Sequence, residues 1–266
     1  MLLVFGFFLL NQTCRALNIT EKEDPLVDML DPYLELIRNC IFGSAIQNHQ
    51  QAKSLSQALK KKQSALSSAL IDIGLKCSQI LLRFPLPSRG EYASDLSNFC
   101  FTLLQSGQKD ILSSAFKTIA VLIRCCHSFF TMTTPQYELL LTHIQQDMIS
   151  PQQQSVAFSL LRAILSVKVN LPIIYDLMDK VSELLVTSQI VEVQKSCQYC
   201  LISFLLDYPL GSKRWQQHLG FLLNQLNYNL RQGRERVLEV LEQICIRFPT
   251  SELDRVVEIN QLCDDF

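Results

Sequence analysis

The sequence is poor in glycine, in histidine and in net charge, and each shortage argues against a class of function. Its 266 residues include only eight glycines and four histidines, and the formal net charge is −1. Few glycines leave little backbone that could cradle a phosphate, and the sequence contains no glycine-rich phosphate loop, HExxH, GxSxG or EF-hand loop. A net charge near zero gives neither a global basic field for nucleic acid nor a strongly acidic tail for a basic partner. We therefore predict that the chain is not an enzyme and holds no cofactor or metal.

Apolar residues, which make up 48% of the chain, recur at the three-and-four spacing of an amphipathic helix. The pattern is clearest over residues 191–207. Its apolar positions are Val193, Cys197, Cys200, Leu201, Phe204 and Leu205. Proline disfavours helical geometry in the residue before it, so Tyr208-Pro209 ends this helix. A second helix is predicted from Trp215, and a third begins after Gln232-Gly233.

The same unit repeats along the chain with a period near forty. Five helices close on a short apolar cluster: ILLRF, VLIRC, AILSV, FLLDY and ICIRF. These clusters end at Phe84, Cys125, Val167, Tyr208 and Phe248, which are separated by 41, 42, 41 and 40 residues. Paired helices at this period are typical of HEAT or armadillo repeats. Such units bury their apolar faces only when stacked on their neighbours, so the predicted fold is an all-α solenoid of helical hairpin repeats.

The remaining helices follow from the same pattern and give a simple domain division. They are predicted over residues 25–42, 64–84, 92–104, 110–126, 134–149, 151–167, from 172 onward, and 253–262. Asp31-Pro32 is a possible kink in the first of them. We predict an apolar start and polar break over residues 1–24, followed by about five to six repeats over residues 25–266.

The first ten residues, MLLVFGFFLL, do not fit the repeat and admit two interpretations. They resemble the hydrophobic region of a secretory signal, and glycosylation sequons begin at Asn11 and Asn18. Alternatively, they form a helix whose packing partner lies upstream. Ten residues are too few to span a bilayer, which takes about twenty.

Cysteines and lysines offer weaker candidates for chemistry. Because Cys77, Cys100, Cys125, Cys197, Cys200 and Cys245 lie within apolar helical patterns, we predict reduced core cysteines. Cys197 and Cys200 form a CxxC without a second CxxC or paired histidines, which argues against zinc. His127 follows Cys126, but neighbours in a helix point in different directions, so we interpret it as a helix end. The lysines at 60, 61 and 62 lie either on a solvated helix face or in a small phosphate-contacting patch.

Residues 161–239 carry a specific resemblance. Within this stretch, the segments IYDLMDKVSELLVTSQ, FLLDYPLG, LNQLNY and QGRE are the most distinctive. The stretch resembles the family of very large HEAT-repeat scaffold proteins of the small-subunit processome, also called the down-regulated in metastasis family. A compatible helical pattern extends over residues 25–248. The chain departs from the family at Arg236, where a small polar residue is expected, and over its first ten residues.

The resemblance implies a non-catalytic scaffold in nucleolar ribosome biogenesis that supports pre-ribosomal RNA processing. It also implies partners among pre-ribosomal proteins, pre-ribosomal RNA and the small nucleolar RNA particle, with no small-molecule substrate and no membrane. The chain would be an internal fragment or truncated form of a much longer protein. The alternatives are a generic HEAT-repeat adaptor for protein partners and, from residues 1–10 alone, a protein of the secretory pathway.

Five basic residues at or near turns between helices are candidates for contact with RNA or protein partners. They are Lys213, Arg214, Arg231, Arg234 and Arg236. A structural alternative is that they keep the surface soluble or cap helix carboxyl ends. For Tyr208 and Trp215 we predict packing between repeats rather than stacking on nucleic-acid bases.

Overall fold

The structure, a computed structural model, describes residues 25–51, 57–106 and 109–247. The helices of these ranges are α1 Pro25–Gln51, α2 Gln57–Leu81, α3 Arg89–Ser106, α4 Lys109–Cys126, α5 Thr134–Asp147, α6 Gln154–Val167, α7 Pro172–Thr187, α8 Val191–Asp207, α9 Ser212–Asn224 and α10 Arg231–Arg247. A short 3-10 helix, Gln225–Asn227, follows α9. The predictions for residues 1–24, for Phe248, for the helix over 253–262 and for the side chains of Lys60, Lys61 and Lys62 lie outside the described part.

The helices pack as stacked pairs within each of two compact units, one ending at Gln136 and one beginning at Tyr137. In the first unit, α1 packs on α2 and α3 on α4, while α1 also contacts α3 and α2 contacts α4. In the second unit, α7 packs on α8, α7 contacts α9, and α6, α8 and α10 stack in succession. Pairs that stack like on like are the arrangement of helical repeats. The predicted fold class, an all-α solenoid of helical hairpin repeats, is confirmed by this packing within each unit.

The pairing has a different phase from the one that the sequence suggested. Reading from residue 191, α8 would be the first helix of a unit and α9 the second. In the structure, α8 packs extensively on the preceding helix, α7. The clusters that end at Phe84, Cys125 and Tyr208 therefore close the second helix of a pair, because apolar spacing identifies helices without showing which neighbour each one contacts.

The core follows the predicted apolar stripes closely in α8. All six predicted positions of this helix are buried, and Phe204 is among the largest fully buried side chains. In α1 the buried stripe includes Leu30, Leu34 and Ile37, whereas Met29 lies beside this stripe and is 68% exposed.

Helix ends differ from the predicted ones where glycine or proline was interpreted as a boundary. Gly233 does not precede the third helix but lies inside α10, which begins at Arg231. Pro151 lies in a turn, and α6 begins at Gln154. The first helix runs through Pro32 and continues to Gln51, beyond the predicted end at residue 42. Pro172, by contrast, opens α7 as predicted, since the first-turn amide needs no acceptor within the helix.

Candidate interaction surfaces

The five candidate basic residues belong to two separate groups. Lys213 and Arg214 lie in the first turn of α9. Arg231, Arg234 and Arg236 lie in the first two turns of α10, after the 3-10 helix. Helix α9 has 13 residues, and at the usual rise of about 1.5 Å per residue it separates the groups by about 20 Å. The structure therefore does not bring the five residues together as one basic patch.

At the start of α9, Arg214 is held by an aromatic ring. Its guanidinium carbon lies 3.5 Å from the centroid of the Tyr175 ring, a close cation–π contact. The Tyr175 hydroxyl donates to Asn170 Oδ1 at 3.0 Å. Lys213 is exposed beside them. The start of α9 thus presents two cationic side chains, Lys213 and Arg214, and the contact with the Tyr175 ring fixes the orientation of Arg214.

Beneath Arg214 lies a cluster of rings in which Tyr208 packs on Tyr175 and Phe204 of its own helix pair. Tyr208 is only 5% exposed, and its ring lies 5.1 Å from that of Phe204 and 6.0 Å from that of Tyr175. Its hydroxyl donates to the carbonyl of Val169. The hydroxyl therefore joins the end of α8 to the turn before α7, and the ring is not available to stack on a nucleic-acid base.

His218 completes this cluster as a buried titratable group. Its ring stands edge-on to Phe204 at 5.3 Å, and it is 6% exposed. Burial lowers the pKa of His218 by disfavouring the charged imidazolium, and the positive charge of Arg214 lowers it further. The carboxylate of Asp179, 3.7 Å from Nδ1, acts in the opposite direction but does not overcome burial. The neutral imidazole is thus the form that the folded second unit favours.

Arg234 is used inside the fold, as one member of a repeated hydrogen bond. Its Nη1 donates to the carbonyl of Tyr228 at 2.6 Å, six residues upstream, and to Asn229 at 3.1 Å. The same bond occurs twice more: Gln154 donates to Met148 at 2.8 Å, and Gln194 donates to Ser188 at 2.7 Å. Donors and acceptors each recur every forty residues, at the period of the repeat.

This repeated bond was not recognised from the sequence, although its spacing was a usable signal. In α6, α8 and α10, a long side chain near the start of the helix reaches back to a carbonyl in the turn that precedes it. Such carbonyls have no partner in the first helix once that helix has ended. The bond therefore closes the turn within the pair, and Arg234 performs in α10 what a glutamine performs in α6 and α8.

Arg231 and Arg236 are both paired with carboxylates on α10. Arg231 Nε lies 2.7 Å from Glu235 Oε1, and its side chain is 85% exposed. Arg236 Nη1 lies 2.6 Å from Glu239 Oε2, and only 19% of its side chain is exposed. An exposed pair is easily broken by a competing anion, whereas a largely buried arginine is not. Arg231 therefore remains the more accessible candidate of the two.

The cysteine predictions are confirmed for most of the core positions but wrong for Cys245. Cys77, Cys100, Cys197 and Cys200 are buried, and Cys125 is partly exposed. Burial raises the pKa of Cys200 to about 12 and also raises that of Cys197, so neither thiol of the CxxC ionises readily. Cys245 is exposed.

Other groups with chemical potential lie apart. His127 is exposed just after the end of α4, as the predicted helix end requires, while Cys126 is buried and its Sγ lies 3.9 Å from the carbonyl of Leu82. Burial raises the pKa of Cys126 to about 12. Over the described ranges, no group of three or more His, Cys, Asp or Glu residues is arranged to hold a metal ion. In the same part of the chain, no helix has the length and apolar content needed to cross a membrane.

The second unit also carries an open groove along its stacked second helices. It has a volume of about 780 Å³ and is lined by side chains of α6, α8 and α10. Arg162 and Arg247 contribute positive charge, and Asp207 and Glu242 contribute negative charge. The 62%-exposed ring of Tyr199 lies among them. Because its charges are of mixed sign, the groove has no electrostatic preference for a polyanion.

Comparison with known proteins gives two similar relatives of the same name. The chain is 32% identical over 143 residues to U3 small nucleolar RNA-associated protein 20 of Schizosaccharomyces pombe. This match covers 54% of this chain and 6% of that protein. The chain is also 22% identical over 246 residues to U3 small nucleolar RNA-associated protein 20 of Saccharomyces cerevisiae. This second match covers 90% of this chain and 10% of that protein. No protein-family model matches the chain. The two relatives confirm the resemblance predicted from residues 161–239, and they are consistent with the chain being a fragment of that family.

Proposed function

We propose that this chain is a non-catalytic scaffold segment of the nucleolar small-subunit processome that supports pre-ribosomal RNA processing and small ribosomal subunit biogenesis. The observation that carries the proposal is the similarity to two proteins named for association with U3 small nucleolar RNA, one match spanning 90% of the chain. Because the chain spans only 6% and 10% of these relatives, the proposal concerns the contribution of one segment to a larger assembly.

The physical form of the chain is suited to such a role. Stacked helical pairs expose helix ends and turns at regular intervals, so contacts with RNA backbone and with proteins can be distributed over many repeats. Lys213 at the start of α9 and Arg231 at the start of α10 are exposed and can neutralise phosphates or meet acidic protein surfaces. The proposed partners are pre-ribosomal proteins, pre-ribosomal RNA and the small nucleolar RNA particle. The proposal includes no substrate turnover and no cofactor.

The test is recovery of U3 small nucleolar RNA with the chain under native conditions. The tagged 266-residue chain is expressed in cells and purified without crosslinking, and the bound U3 RNA is quantified against an unrelated abundant small RNA. We expect enrichment of U3 RNA and nucleolar staining. Recovery of proteins without U3 RNA would favour the adaptor alternative and overturn the proposal.

Charge-reversal variants then test the candidate contacts. The double variant Lys213→Glu/Arg214→Glu and the single variant Arg231→Glu are compared with Lys180→Glu, a reversal at another exposed lysine of the second unit. If the start of α9 contacts RNA, the double variant will recover several-fold less U3 RNA than the Lys180 control. Equal recovery by all variants would remove these residues from the interface while leaving the scaffold role in place.

A further inference from the structure

The open groove of the second unit crosses three stacked helices at equivalent positions. The last residues of α6, α8 and α10 are each separated by forty residues. The turn-closing bonds near the starts of these helices have the same offset. Residues that are forty apart in the sequence therefore lie at the same height on neighbouring helices. Three residues that line the groove, Arg162, Ile202 and Glu242, form one such row.

This row changes from positive to apolar to negative across the groove. Arg162 and Glu242 are exposed, and between them the Ile202 side chain is only 6% exposed. None of the ion pairs in the described part of the chain involves Arg162 or Glu242. Burial raises the pKa of Cys200 to about 12, and the charge of Arg162 acts in the opposite direction, so Arg162 lies within electrostatic reach of α8. The row thus carries one unpaired charge at each end.

The other charged residues that line the groove change this pattern little. Glu239 is paired with Arg236 at 2.6 Å. Asp207 and Arg247 are the last residues of α8 and α10, five positions beyond the row, which is about 7.5 Å at the usual rise of about 1.5 Å per residue. Because they carry opposite charges at the same height, their fields largely offset each other at the row. The groove therefore favours a ligand with one negative and one positive charge, set at opposite ends.

Between the two charges, the groove offers an aromatic ring and hydrogen-bonding side chains. Tyr199 is 62% exposed and lies about one turn before Ile202 in α8. Gln198 and Ser203 of α8 and Gln243 of α10 line the same groove and are partly exposed. Carboxamides and hydroxyls both donate and accept hydrogen bonds. These side chains can therefore bond to the N–H and carbonyl groups of an extended peptide backbone.

The spacing of the helices selects the conformation of such a peptide. Packed helices lie about 8–10 Å apart. A polyproline II backbone has three residues per turn and a rise of about 3.1 Å, so every third side chain returns to the same side after about 9.3 Å. A β-strand returns every second side chain to the same side after about 6.7 Å, which does not match the helix spacing. A polyproline II segment therefore stays in step with the row over six residues.

A partner helix fits this groove less well. A helix is about 10 Å wide with its side chains, so a length of about 20 Å fills about 1,600 Å³. The groove has a volume of about 780 Å³. A polyproline II backbone also has no internal hydrogen bonds, so its polar groups are available to the side chains of the groove, and grooves lined by aromatic residues are typical sites for such segments.

We propose that this groove binds a segment of a protein partner in the polyproline II conformation, with an acidic, an apolar and a basic residue at successive third positions. The acidic residue contacts Arg162, the apolar residue packs on Tyr199 and Ile202, and the basic residue contacts Glu242. A nucleic-acid strand is not the expected occupant, because a polyanion has no group that matches Glu242.

The test measures binding of the amidated peptide Asp-Pro-Pro-Leu-Pro-Pro-Arg, labelled with fluorescein at its amino end, to the full 266-residue chain by anisotropy. We expect saturable binding. A peptide with three prolines in each gap instead of two turns successive side chains away from the row and should bind about tenfold more weakly. Tyr199→Ala should weaken binding about tenfold, as for an aromatic hot-spot residue. The matched control is Tyr33→Ala, which removes a 43%-exposed ring from the first unit and should leave the affinity unchanged.

A charge exchange makes the test independent of Tyr199. Arg162→Glu should weaken binding of this peptide about tenfold and should bind a peptide that begins with Arg instead of Asp as tightly as the unsubstituted chain binds the original. Lys180→Glu, a reversal at an exposed lysine of α7, should distinguish the peptides as the unsubstituted chain does. Helical content by circular dichroism must be equal for all variants. The proposal is overturned if the chain does not bind the first peptide, if the wider-spaced peptide binds equally, or if the charge exchange does not restore the affinity.

Discussion

Two glycines of the second unit, both inside helices, should respond to alanine with opposite signs. Gly220 lies in α9, and a Cβ added there meets nothing within 4 Å. Gly233 lies in α10, where a Cβ would come within 2.8 Å of the Val186 carbonyl oxygen, 2.8 Å of Tyr228 Cδ1 and 3.1 Å of Val186 Cγ1. The first contact is with backbone, which cannot rotate away. Substitution at Gly233 therefore requires α10 to move relative to α7.

The magnitudes follow from competing effects. In a helix, alanine is favoured over glycine by about 0.5–1 kcal/mol, because glycine loses more backbone entropy on folding. Gly220→Ala should therefore stabilise the chain by about that amount. Gly233→Ala gains the same backbone-entropy advantage, but the added methyl group overpacks the contact with Val186 at a cost of about 1–3 kcal/mol. The expected net effect is a destabilisation of about 1–2 kcal/mol, so the two variants should differ by about 2 kcal/mol.

Urea unfolding followed by the fluorescence of Trp215, the one tryptophan of the sequence, measures both variants within the second unit. For small proteins the free energy of unfolding falls by about 1–3 kcal/mol per molar urea, so the two midpoints should lie about 1 M apart. Gly220→Ala should unfold at higher urea than the unsubstituted chain and Gly233→Ala at lower urea. If both variants are stabilised, the close crossing of α10 and α7 is refuted.

Three further predictions concern individual side chains. Arg234→Ala should lower the free energy of unfolding by about 1–2 kcal/mol, because two turn carbonyls lose a charged donor. Arg231→Ala, which removes only an exposed ion pair, should lower it by less than about 0.5 kcal/mol. Equal losses in urea unfolding would contradict the turn-closing role of Arg234. Because burial lowers the folded-state pKa of His218, its contribution to stability is constant above the unfolded pKa of about 6.5 and is lost as the pH falls from there through the folded pKa. Urea midpoints between pH 7.5 and 5 should therefore fall more steeply for the unsubstituted chain than for His218→Gln, and parallel curves would contradict this. In the native chain, Cys245 should be alkylated by iodoacetamide far faster than the buried Cys200, as measured by peptide mass spectrometry, and similar rates would show that α8 is not protected.

The sequence predicted the features that follow from its periodicity, namely the buried side of a helix and the repeat fold. The buried stripe of α8 was predicted residue by residue, since six apolar positions at helical spacing can only be buried together on one side of the helix. The all-α repeat fold followed from the forty-residue recurrence of such stripes. Pro172 was correctly placed at a helix start, because the constraint that proline imposes is local to the backbone.

Features that depend on the neighbour of a helix could not be predicted in this way. Gly233 was interpreted as a turn residue because glycine usually ends helices, but here it is the small residue that allows α10 to approach Val186. Arg234 suggested a partner contact, although its donor is used by a turn six residues upstream. The groove of the second unit is built from side chains of three helices that lie forty residues apart in the sequence, so no local pattern reveals it.

The most direct test of the proposed scaffold role is ultraviolet crosslinking of the tagged chain in cells, followed by immunoprecipitation and sequencing of the attached RNA. We predict enrichment of small-subunit pre-ribosomal RNA and of U3 small nucleolar RNA over other abundant nuclear RNAs. The same chain should sediment with large particles in a gradient. A soluble, helical chain that crosslinks to neither RNA and sediments alone would contradict the account.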